Sequence, residues 1–338
     1  MIRISFAELK STIKQAFLRA GMPEDRAETC AQIHTETTCD GVNSHGINRV
    51  ERFIEYIHSG LVDVHASPKL AFALGAMEIY DGQLGPGILN ALFAMDRATV
   101  LAAQHGLAMV ALRNTTHWMR GGTYGWLAAD KGFIGICWTN TESCMPPWGS
   151  RSEAVGNNPF VMAVPRKEGH LVLDMAMSQF SYGKVWSCRD KNIKLPFPGG
   201  FDHEGNLTDD AAAISETRRI LPMGYWKGSG FAIMLDVIGA LVSNGLATAG
   251  IDKANKGSAG SSSQVFIAID PEKMNTREFI EQTLESTIAQ LKAAVPVKEG
   301  GQMFYPGEQS LNTRKQNLQN GIPVDEPVWN KIKELAAQ

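Results

Sequence analysis

The chain contains 338 residues, of which 44% are hydrophobic and 20% are charged, so it can bury a large core and has an ordinary globular composition. Its formal net charge is -3 with acids and bases interspersed, which argues against a nucleic-acid-binding face. It lacks the run of roughly 18 apolar residues that a membrane helix requires, and its start lacks the apolar stretch of a signal peptide. The five cysteines are scattered without a C-x-x-C pair, as is typical of reduced thiols. We therefore expect a cytoplasmic protein that binds neither nucleic acid nor membrane.

The N-terminal third of the chain has the pattern of helices. Ser5 and Glu8 have the spacing of a capping box, and apolar residues follow at helical intervals. A second helix is predicted from Pro23 to about Asp40, because proline suits the start of a helix. The apolar spacing predicts a third helix that ends at Gly60.

Strands and helices alternate from about residue 70 onwards. Apolar or β-branched runs bounded by turn residues predict strands at "MVALRN", "FIGICWTN", "FVMAVPR", "LVLDMAM" and "VFIAID". Between them, "ILNALFAMDRATVLAAQ" and "FAIMLDVIGALVSNGL" have helical spacing, and "KANKGSAGSSSQ" has the composition of a mobile loop. The C-terminal segment is predicted to be helical again and to pack against the N-terminal helices, because chain termini are often close together. The pattern thus predicts a mainly helical domain of residues 1–70 and 310–338 and an α/β domain of residues 71–309.

Four common nucleotide-binding or catalytic motifs are absent from the sequence. There is no G-x-G-x-x-G after a strand and no G-x-x-x-x-G-K-[ST], so a bound dinucleotide would not use the usual Rossmann fingerprint. There is also no H-E-x-x-H and no G-x-S-x-G, which weakens the zinc-protease and α/β-hydrolase interpretations.

The segment "SHGINR" places an imidazole and a guanidinium four residues apart. Ser44 is predicted to be the N-cap of the third helix, so that His45 lies in the first turn and Arg49 shares its face. A helix N-terminus attracts anions, and an arginine can hold a carboxylate through two parallel hydrogen bonds. His45 could then exchange a proton with a group beside that carboxylate, which suits a 2-oxo or 2-hydroxy acid. The alternative is a capped helix whose histidine and arginine are merely solvated.

Three further segments carry candidate site residues. His117 follows a predicted strand in "RNTTHWMRGGTYGW", where loops commonly present functional side chains, although the neighbouring aromatic residues suit a core. Asp174 lies in an apolar strand and needs a partner such as an imidazole or a backbone amide, unless it faces water. Lys227 and the glycines after it could hold a phosphate at a helix N-terminus, but Gly-Ser-Gly is also an ordinary turn.

The same side chains permit a different class of enzyme. His45, His117 and Asp174 supply the two imidazoles and one carboxylate of a facial metal triad. Arg49 argues against it, because a nearby cation opposes metal binding. We therefore assign no metal ligand from the sequence. A non-catalytic binding protein that has kept an enzyme scaffold is a third possibility.

In their order along the chain, these segments resemble the malate/L-lactate dehydrogenase family that is separate from the Rossmann-fold enzymes. The likeness covers most of the chain and runs through "SHGINR", "ALRNTTHWMRGGTYGW", "GICWTNTESCMPPWG", "GNNPF", "SYGK", "PGGFDHEGNLT", "ILPMGYWKGSG", "SQVFIAI" and "NGIPVDEPVW". It implies an α/β fold with a non-Rossmann mixed sheet, whose α/β domain binds NAD(P) and forms a homodimer. It also implies an oxidoreductase that interconverts 2-oxo and 2-hydroxy acids. Within the family, the likeness is strongest to reductases of a diketo sugar acid, and a malate-, lactate- or ureidoglycolate-type dehydrogenase is the alternative.

The resemblance implies roles for individual residues. His45 would protonate the carbonyl oxygen during reduction, and His117 is the second candidate for that role and a substrate contact. Ser44 and Arg49 would contact the substrate, Arg49 by binding its carboxylate, and Asp174 would lie near enough to orient a catalytic histidine. The cofactor is NAD or NADP, with NADH preferred, and the positions that match its contacts are Asn140, Leu173, Asp174, Met175, Trp226, Lys227, Gly307, Glu308 and Gln309.

Two segments depart from the family pattern. They are "SYGKVWSCRDKNIKLP", after its first lysine, and "GSAGSSSQ". We expect both to touch the substrate or the ribose side of the cofactor. The choice of sugar acid, and the choice between NADH and NADPH, therefore stay open at this point.

Overall fold

A seven-stranded sheet forms the centre of the computed structural model, which describes residues 1–255, 257 and 260–337. The strands are β1 (Ile2–Ile4), β2 (Lys69–Leu74), β3 (Met77–Asp81), β4 (Leu107–Thr115), β5 (Ile134–Thr139), β6 (Phe160–Val164), β7 (Leu171–Met175), β8 (Gly200–Phe201), β9 (Leu207–Thr208), β10 (Ser262–Ile269) and β11 (Ile322–Val324). The helices are α1 (Phe6–Arg19), α2 (Glu24–Cys39), α3 (Val50–His58), α4 (Gly87–His105), α5 (Gly122–Asp130), α6 (Tyr182–Asp190), α7 (Ala211–Thr217), α8 (Trp226–Ser243), α9 (Thr248–Ala254), α10 (Arg277–Lys292), α11 (Glu308–Asn320) and α12 (Glu326–Ala337).

The sheet is mixed and is not wound in the Rossmann manner. Its order is β2-β3-β4-β10-β5-β6-β7, and β3 and β4 pair in parallel while the other neighbours are antiparallel. All five strands predicted from the sequence are present, as β4, β5, β6, β7 and β10. The sequence analysis does not predict β2 or β3, and β2 is exposed along its whole length. The expected α/β class with a non-Rossmann mixed sheet is confirmed.

Helices cover both faces of the sheet at its centre, which explains why the central strand β10 is apolar from Val265 to Ile269. Val265 and Phe266 are neighbours on β10, and both are fully buried. Successive side chains of a strand point to opposite faces. Phe266 accordingly belongs to the core that contains α4 and α5, whereas Val265 belongs to the core that contains α6, α7 and α8.

A third core joins the two ends of the chain. β1 pairs antiparallel with β11, and Ile4 is opposite Ile322. On α12, Trp329 and Ile332 share this core with Phe17 on α1. The C-terminal segment therefore packs against the N-terminal helices, as the sequence analysis expects. The division into domains at residues 70 and 310 stays a prediction.

The predicted N-terminal helices are present as α1, α2 and α3. Ser5 caps α1 through its Oγ, which accepts the N–H of Glu8 at 3.2 Å, as the capping pattern predicts. The predicted loop 253–264 is shorter than expected, because α9 extends to Ala254 and β10 begins at Ser262. The prediction of mobility there also covers Lys256, Ser258 and Ala259, which lie outside the described residues.

The helix α8 has an unusual surface. By length and composition it is the one helix within residues 1–255, 257 and 260–337 that could cross a membrane, which the sequence analysis does not anticipate. Its inner side packs on the sheet through residues such as Ala232 and Leu235, and Asp236 binds the N–H of Thr248 at 2.8 Å. Its outer side stays apolar and exposed, with Leu241 at 74% exposure.

Candidate active site

A cavity of about 1500 Å³ brings distant parts of the chain together. Its walls come from the segment before α3 and α3 itself, the segments after β4 and β5, strand β7, α6 and the segment before α11. Most of the residues that the sequence singles out line it: Ser44, His45, Arg49, His117, Asn140, Leu173, Asp174, Met175, Gly307 and Gln309. The sequence candidates therefore converge on one site.

Three of the proposed cofactor-contacting residues are not in the cavity lining. Glu308 accepts hydrogen bonds from Lys292 Nζ at 2.6 Å and from the N–H of Tyr305 at 3.1 Å. Trp226 and Lys227 begin α8, where Trp226 is 65% exposed. A single chain does not bring this end of α8 to the cavity.

The SHGINR segment does not start a helix at Ser44, so the predicted N-cap is wrong. The segment forms two 3-10 turns, Asn43–His45 and Ile47–Arg49, and α3 begins only at Val50. Gly46 separates the turns with a φ of -98° and a ψ of -119°, which interrupts helical geometry. The Ser44 hydroxyl instead lies 3.0 Å from His45 Nδ1.

Helix α2 holds this segment through two buried side chains that the sequence analysis did not single out. Thr38 Oγ1 accepts the N–H of Ile47 at 2.9 Å, and His34 Nδ1 lies 3.0 Å from the Gly46 carbonyl oxygen. A Cβ on Gly46 would lie 2.3 Å from Thr38 Oγ1, so this close approach requires glycine. Burial lowers the pKa of His34 to about 4, so the ring is neutral at pH 7 and its Nδ1–H donates to Gly46. The peptide group between Gly46 and Ile47 is thereby fixed to α2.

The imidazoles of His45 and His117 stack inside the cavity. Their ring centroids are 5.9 Å apart and their planes differ by 29°. The N–H of Met119 donates to His117 Nδ1 at 2.9 Å, which puts the proton of the neutral ring on Nε2. The Ser44 hydroxyl engages Nδ1 of His45. Both rings therefore have Nε2 available to a ligand.

Burial and nearby positive charge keep both rings neutral in the free protein. Burial, followed by the charges of Arg49 and Arg120, lowers the pKa of His45 to about 4. Burial and then Arg49 lower the pKa of His117 well below its usual value. An anion bound at Arg49 would oppose that positive charge, so it would raise the pKa of both imidazoles.

Arg49 is a cation in the cavity wall that has no hydrogen-bonded or ion-paired partner among the described residues. Burial, and then the charge of Arg52, lower its pKa below the ordinary value, but an arginine side chain stays charged in a protein. A desolvated charge without a partner is costly, and binding an anion would remove that cost. The position beside His45 is therefore suited to a carboxylate.

Asp174 is held by partners other than the histidines. Its Oδ2 accepts the N–H of Gly122 at 2.9 Å and lies 3.6 Å from Arg120 Nε. Burial raises its pKa, while Arg120 and Gly122 act in the opposite direction. The carboxylate of Asp174 thus finds its partners in a backbone amide and a guanidinium. No hydrogen bond joins it to His45 or His117, so the proposal that it orients a histidine has no such support.

An ion-pair network connects this strand to the helical core. Arg120 Nη1 donates to Asp40, and Arg314 Nε and Nη2 donate to the same carboxylate at 2.5 and 2.7 Å. Asp40 follows α2, Arg314 lies on α11, and Arg120 reaches Asp174 on β7. The network ties three walls of the cavity together, and sequence reasoning missed it because its members are far apart in the chain.

The facial metal triad is not supported by the geometry. Across the described ranges, with their gaps at 256, 258–259 and 338, no group of three or more His, Cys, Asp or Glu side chains could hold a metal ion. His45 and His117 are adjacent, but Asp174 is engaged by Gly122 and Arg120.

The amide of Asn140 is used within the protein. Its Nδ2 donates to Asp236 Oδ1 at 2.8 Å and to the Leu246 carbonyl at 2.7 Å, and its Oδ1 accepts the N–H of Ser263 at 2.7 Å. Both amide hydrogens are therefore engaged. Asn140 fixes the segment after β5 against α8 and β10, and only its acceptor atoms could contact a ligand.

Comparisons with known proteins identify the family of the chain. The malate/L-lactate dehydrogenase family profile matches residues 4–333. The chain is 43% identical to 2,3-diketo-L-gulonate reductases of Shigella boydii serotype 4 and of Escherichia coli K12, over 99% of this chain and 100% of each relative.

Two solved structures are similar over almost the whole chain. The sulfolactate dehydrogenase of Methanocaldococcus jannaschii is 28% identical with a TM-score of 0.90, over 99% of this chain and 97% of its own. The malate dehydrogenase of Pyrococcus horikoshii OT3 is 25% identical with a TM-score of 0.90, over 99% and 95%. The protein therefore belongs to the malate/L-lactate dehydrogenase family and is an oxidoreductase.

Proposed function

We propose that the protein is an NAD(P)H-dependent reductase that interconverts a 2-oxo acid and its 2-hydroxy acid. The observation that carries this proposal is the guanidinium of Arg49, which lies in the same cavity wall as His45 and has no partner in the part of the chain that the structure describes. Family membership supports an oxo acid as the substrate. The names of the 43% identical relatives favour a diketo sugar acid such as 2,3-diketo-L-gulonate.

The chain's own residues would position the substrate and move the proton. Arg49 binds the substrate carboxylate through two parallel hydrogen bonds, which fixes the direction of the neighbouring carbonyl. Negative charge develops on that carbonyl oxygen during reduction, so a proton donor must lie beside it. His45 donates from Nε2, and the Ser44 hydroxyl at Nδ1 orients the ring. His117 stacks on His45 and is the second candidate for the proton donor and a substrate contact.

The edge of the sheet fits a dinucleotide. β7 is an edge strand, and the N–H of Val172 donates away from the sheet to the Pro306 carbonyl at 2.8 Å. By the alternation of an antiparallel ladder, the main-chain groups of Asp174 also face away from β6, where a ligand can reach them. Gly307 has a φ of +92°, and a Cβ there would lie 3.0 Å from the nitrogen of Val172. The outer edge of β7 and the backbone at Gly307 together form a cradle, which supports dinucleotide contacts from residues 173–175 and 307–309. The reduced nicotinamide would supply the hydride.

The charges near that cradle favour NADH over NADPH. NADP carries an additional phosphate, for which a free cation would be the natural partner. Arg314 is paired with Asp40, and Lys292 is paired with Glu308. Arg120 lies between Asp40 and Asp174. These cations are already neutralised, so we propose NAD as the cofactor.

The test is a panel of 2-oxo acids and diketo sugar acids, each assayed with NADH and with NADPH. We expect oxidation of NADH by a diketo sugar acid, unaffected by excess EDTA because no metal takes part. Preferential reduction of oxaloacetate or pyruvate would instead indicate a malate- or lactate-type dehydrogenase of the same family. Loss of activity in EDTA would favour the metal hypothesis. Failure to bind either nucleotide in a fluorescence titration, with no oxo acid reduced, would refute the proposal.

The apolar face of α8 supports a homodimer. This face is defined by its exposed residues: Trp226, Phe231, Ile233, Met234, Val237, Ile238 and Leu241. A contiguous apolar surface of this kind marks an interaction site. Trp226 and Lys227 match cofactor-contacting positions but lie outside the chain's own cavity, so pairing through α8 would let each chain complete the other's site.

Light scattering should therefore give twice the chain mass of 36.8 kDa. We expect Leu241→Glu to dissociate the dimer, because it puts a charge in a face that association would bury. A monomeric wild-type protein would contradict the dimer, and extraction only with detergent would show that α8 enters a membrane.

We also propose a cytoplasmic location. The five cysteines are free thiols, four of them buried, as expected in a reducing compartment. Cell fractionation would test this, and recovery from a periplasmic or secreted fraction would contradict it.

A further inference from the structure

Helix α6 starts in contact with the reaction centre. A Cβ on Gly183, in the first turn of α6, would lie 2.9 Å from Ser44 Cβ. Ser44 is adjacent to His45 and hydrogen-bonded to its ring. Because Gly183 has no side chain, α6 approaches the catalytic segment closely, and any substrate bound at Arg49 and His45 has α6 as a neighbour.

One face of α6 then continues along the cavity. Gly183, Trp186, Ser187 and Asp190 all line it, and they are spaced by three or four residues, the spacing of one helix face. Seven residues of helix extend about 10 Å, which covers the carbon chain of a six-carbon acid. Trp186, Ser187 and Asp190 follow the first lysine of "SYGKVWSCRDKNIKLP", so they lie in the part that departs from the family pattern, whereas Gly183 lies in the matching "SYGK".

The groups on this face are available to a ligand. Trp186 is 44% exposed although it lines the cavity, and its ring centroid is 5.6 Å from that of Tyr182. Ser187 makes no hydrogen bond through its hydroxyl with the described part of the chain. Asp190 uses Oδ1 to accept from Arg189 at 2.8 Å, which leaves Oδ2 as an acceptor.

The other cavity wall adds both signs of charge. Arg52 is a second guanidinium, one helical turn after Arg49, and its charge lowers the pKa of Arg49. Glu142 also lines the cavity, and burial raises the pKa of its carboxyl. A second carboxylate on the substrate would meet the carboxylates of Asp190 and Glu142 as well as further cations of the cavity lining, among them Arg52, Lys191 and Arg218. Mixed donors and acceptors beside an exposed aromatic ring suit an uncharged, hydroxylated chain, because each hydroxyl both donates and accepts.

We propose that the cavity wall formed by Trp186, Ser187 and Asp190 is the specificity subsite for the hydroxylated tail of a sugar acid. This inference rests on the proposed function, since Arg49 must first hold the substrate by its carboxylate. Trp186 covers the C–H face of the tail, while Ser187 and Asp190 bind its hydroxyl groups. A three-carbon oxo acid has no tail and gains nothing from this wall.

The test compares 2,3-diketo-L-gulonate with pyruvate as substrates of the full-length protein with NADH. We expect Trp186→Ala to lower the ratio of kcat/KM for the sugar acid to that for pyruvate by about tenfold, mainly through KM, because the tail loses an aromatic contact. Ser187→Ala should lower the same ratio several-fold with little risk to folding. Phe279→Ala is the matched control, since Phe279 is 57% exposed on α10 and does not line the cavity. It should leave the ratio unchanged.

The outcomes separate this inference from the function on which it rests. If the wild-type protein reduces the sugar acid but not pyruvate, the subsite proposal is supported. The KM for the sugar acid is then compared among the variants. It is overturned if the two α6 variants leave the ratio unchanged, or if the wild type reduces pyruvate but not the sugar acid. If no oxo acid is reduced with either nucleotide, the proposed function itself fails.

Discussion

Replacing His45 with glutamine is expected to lower kcat for oxo acid reduction by about 10²–10⁴-fold, the range that positioned proton transfer contributes. Glutamine keeps a polar side chain of similar reach but cannot deliver a proton to the developing alkoxide. Nicotinamide nucleotide affinity should change little, because the proposed nucleotide contacts lie on β7 and around Gly307. Steady-state kinetics and a fluorescence titration of nucleotide binding measure the two effects separately.

The pH dependence gives this prediction a second readout. With a pKa of about 4, His45 is neutral in the free protein at pH 7 and is ready to act as a base in the oxidation of a hydroxy acid. The kcat/KM for oxidation should therefore be lost as pH falls through about 4. Reduction needs the protonated ring, so its kcat/KM should fall as pH rises. A substrate carboxylate at Arg49 raises the pKa of His45 in the substrate complex. Because kcat reports on that complex and kcat/KM on the free protein, kcat for reduction should fall at a higher pH than kcat/KM does.

His117→Gln is the matched comparison for this prediction. It removes the stacked ring but leaves His45 in place. If the His45 variant kept its turnover and its pH profiles while the His117 variant lost both, His117 would be the proton donor.

The sequence analysis groups residues that line one cavity where they are close together in the chain. Ser44, His45 and Arg49 lie within six residues, so their shared chemistry can be seen without the fold. The local geometry was still predicted wrongly, because Thr38 and His34 on α2 hold Gly46 in a conformation that no helix allows. A tertiary contact thus overrides a plausible local cap.

The parts of the site that sequence reasoning missed depend on contacts across the chain. Asp40 pairs with Arg120 and Arg314, which are 80 and 274 residues away. No local pattern indicates which carboxylate will meet which guanidinium in such a network. The same is true of Gly183, whose role follows only from its packing against Ser44. Resemblance to a family supplied the cofactor-contacting positions, but it could not show that Trp226 lies outside the chain's own cavity.

Arg49→Ala is expected to raise the substrate KM by about 100-fold. Hydrogen bonds to charged groups contribute roughly 1.5–3 kcal/mol each, and 100-fold corresponds to about 2.7 kcal/mol. Arg49→Lys should recover part of the loss, because lysine keeps the charge but not the planar pair of donors. Thermal stability should not fall, since the guanidinium has no partner within the described residues and its burial is unfavourable.

Removing this charge should also act on the neighbouring ring. Arg49 is one of the charges that lower the pKa of His45, so in the alanine variant that pKa should rise from about 4 towards its ordinary value, and an NMR titration of His45 can follow it. Arg277→Ala is the control, because Arg277 is an exposed cation on α10 outside the cavity. The two readouts together distinguish an arginine that binds the substrate carboxylate from one that is merely solvated. Only a guanidinium close to the His45 ring would change both the substrate KM and the pKa of His45 when it is removed. Unchanged KM and turnover in Arg49→Ala would refute the carboxylate assignment even if the histidine titration shifted.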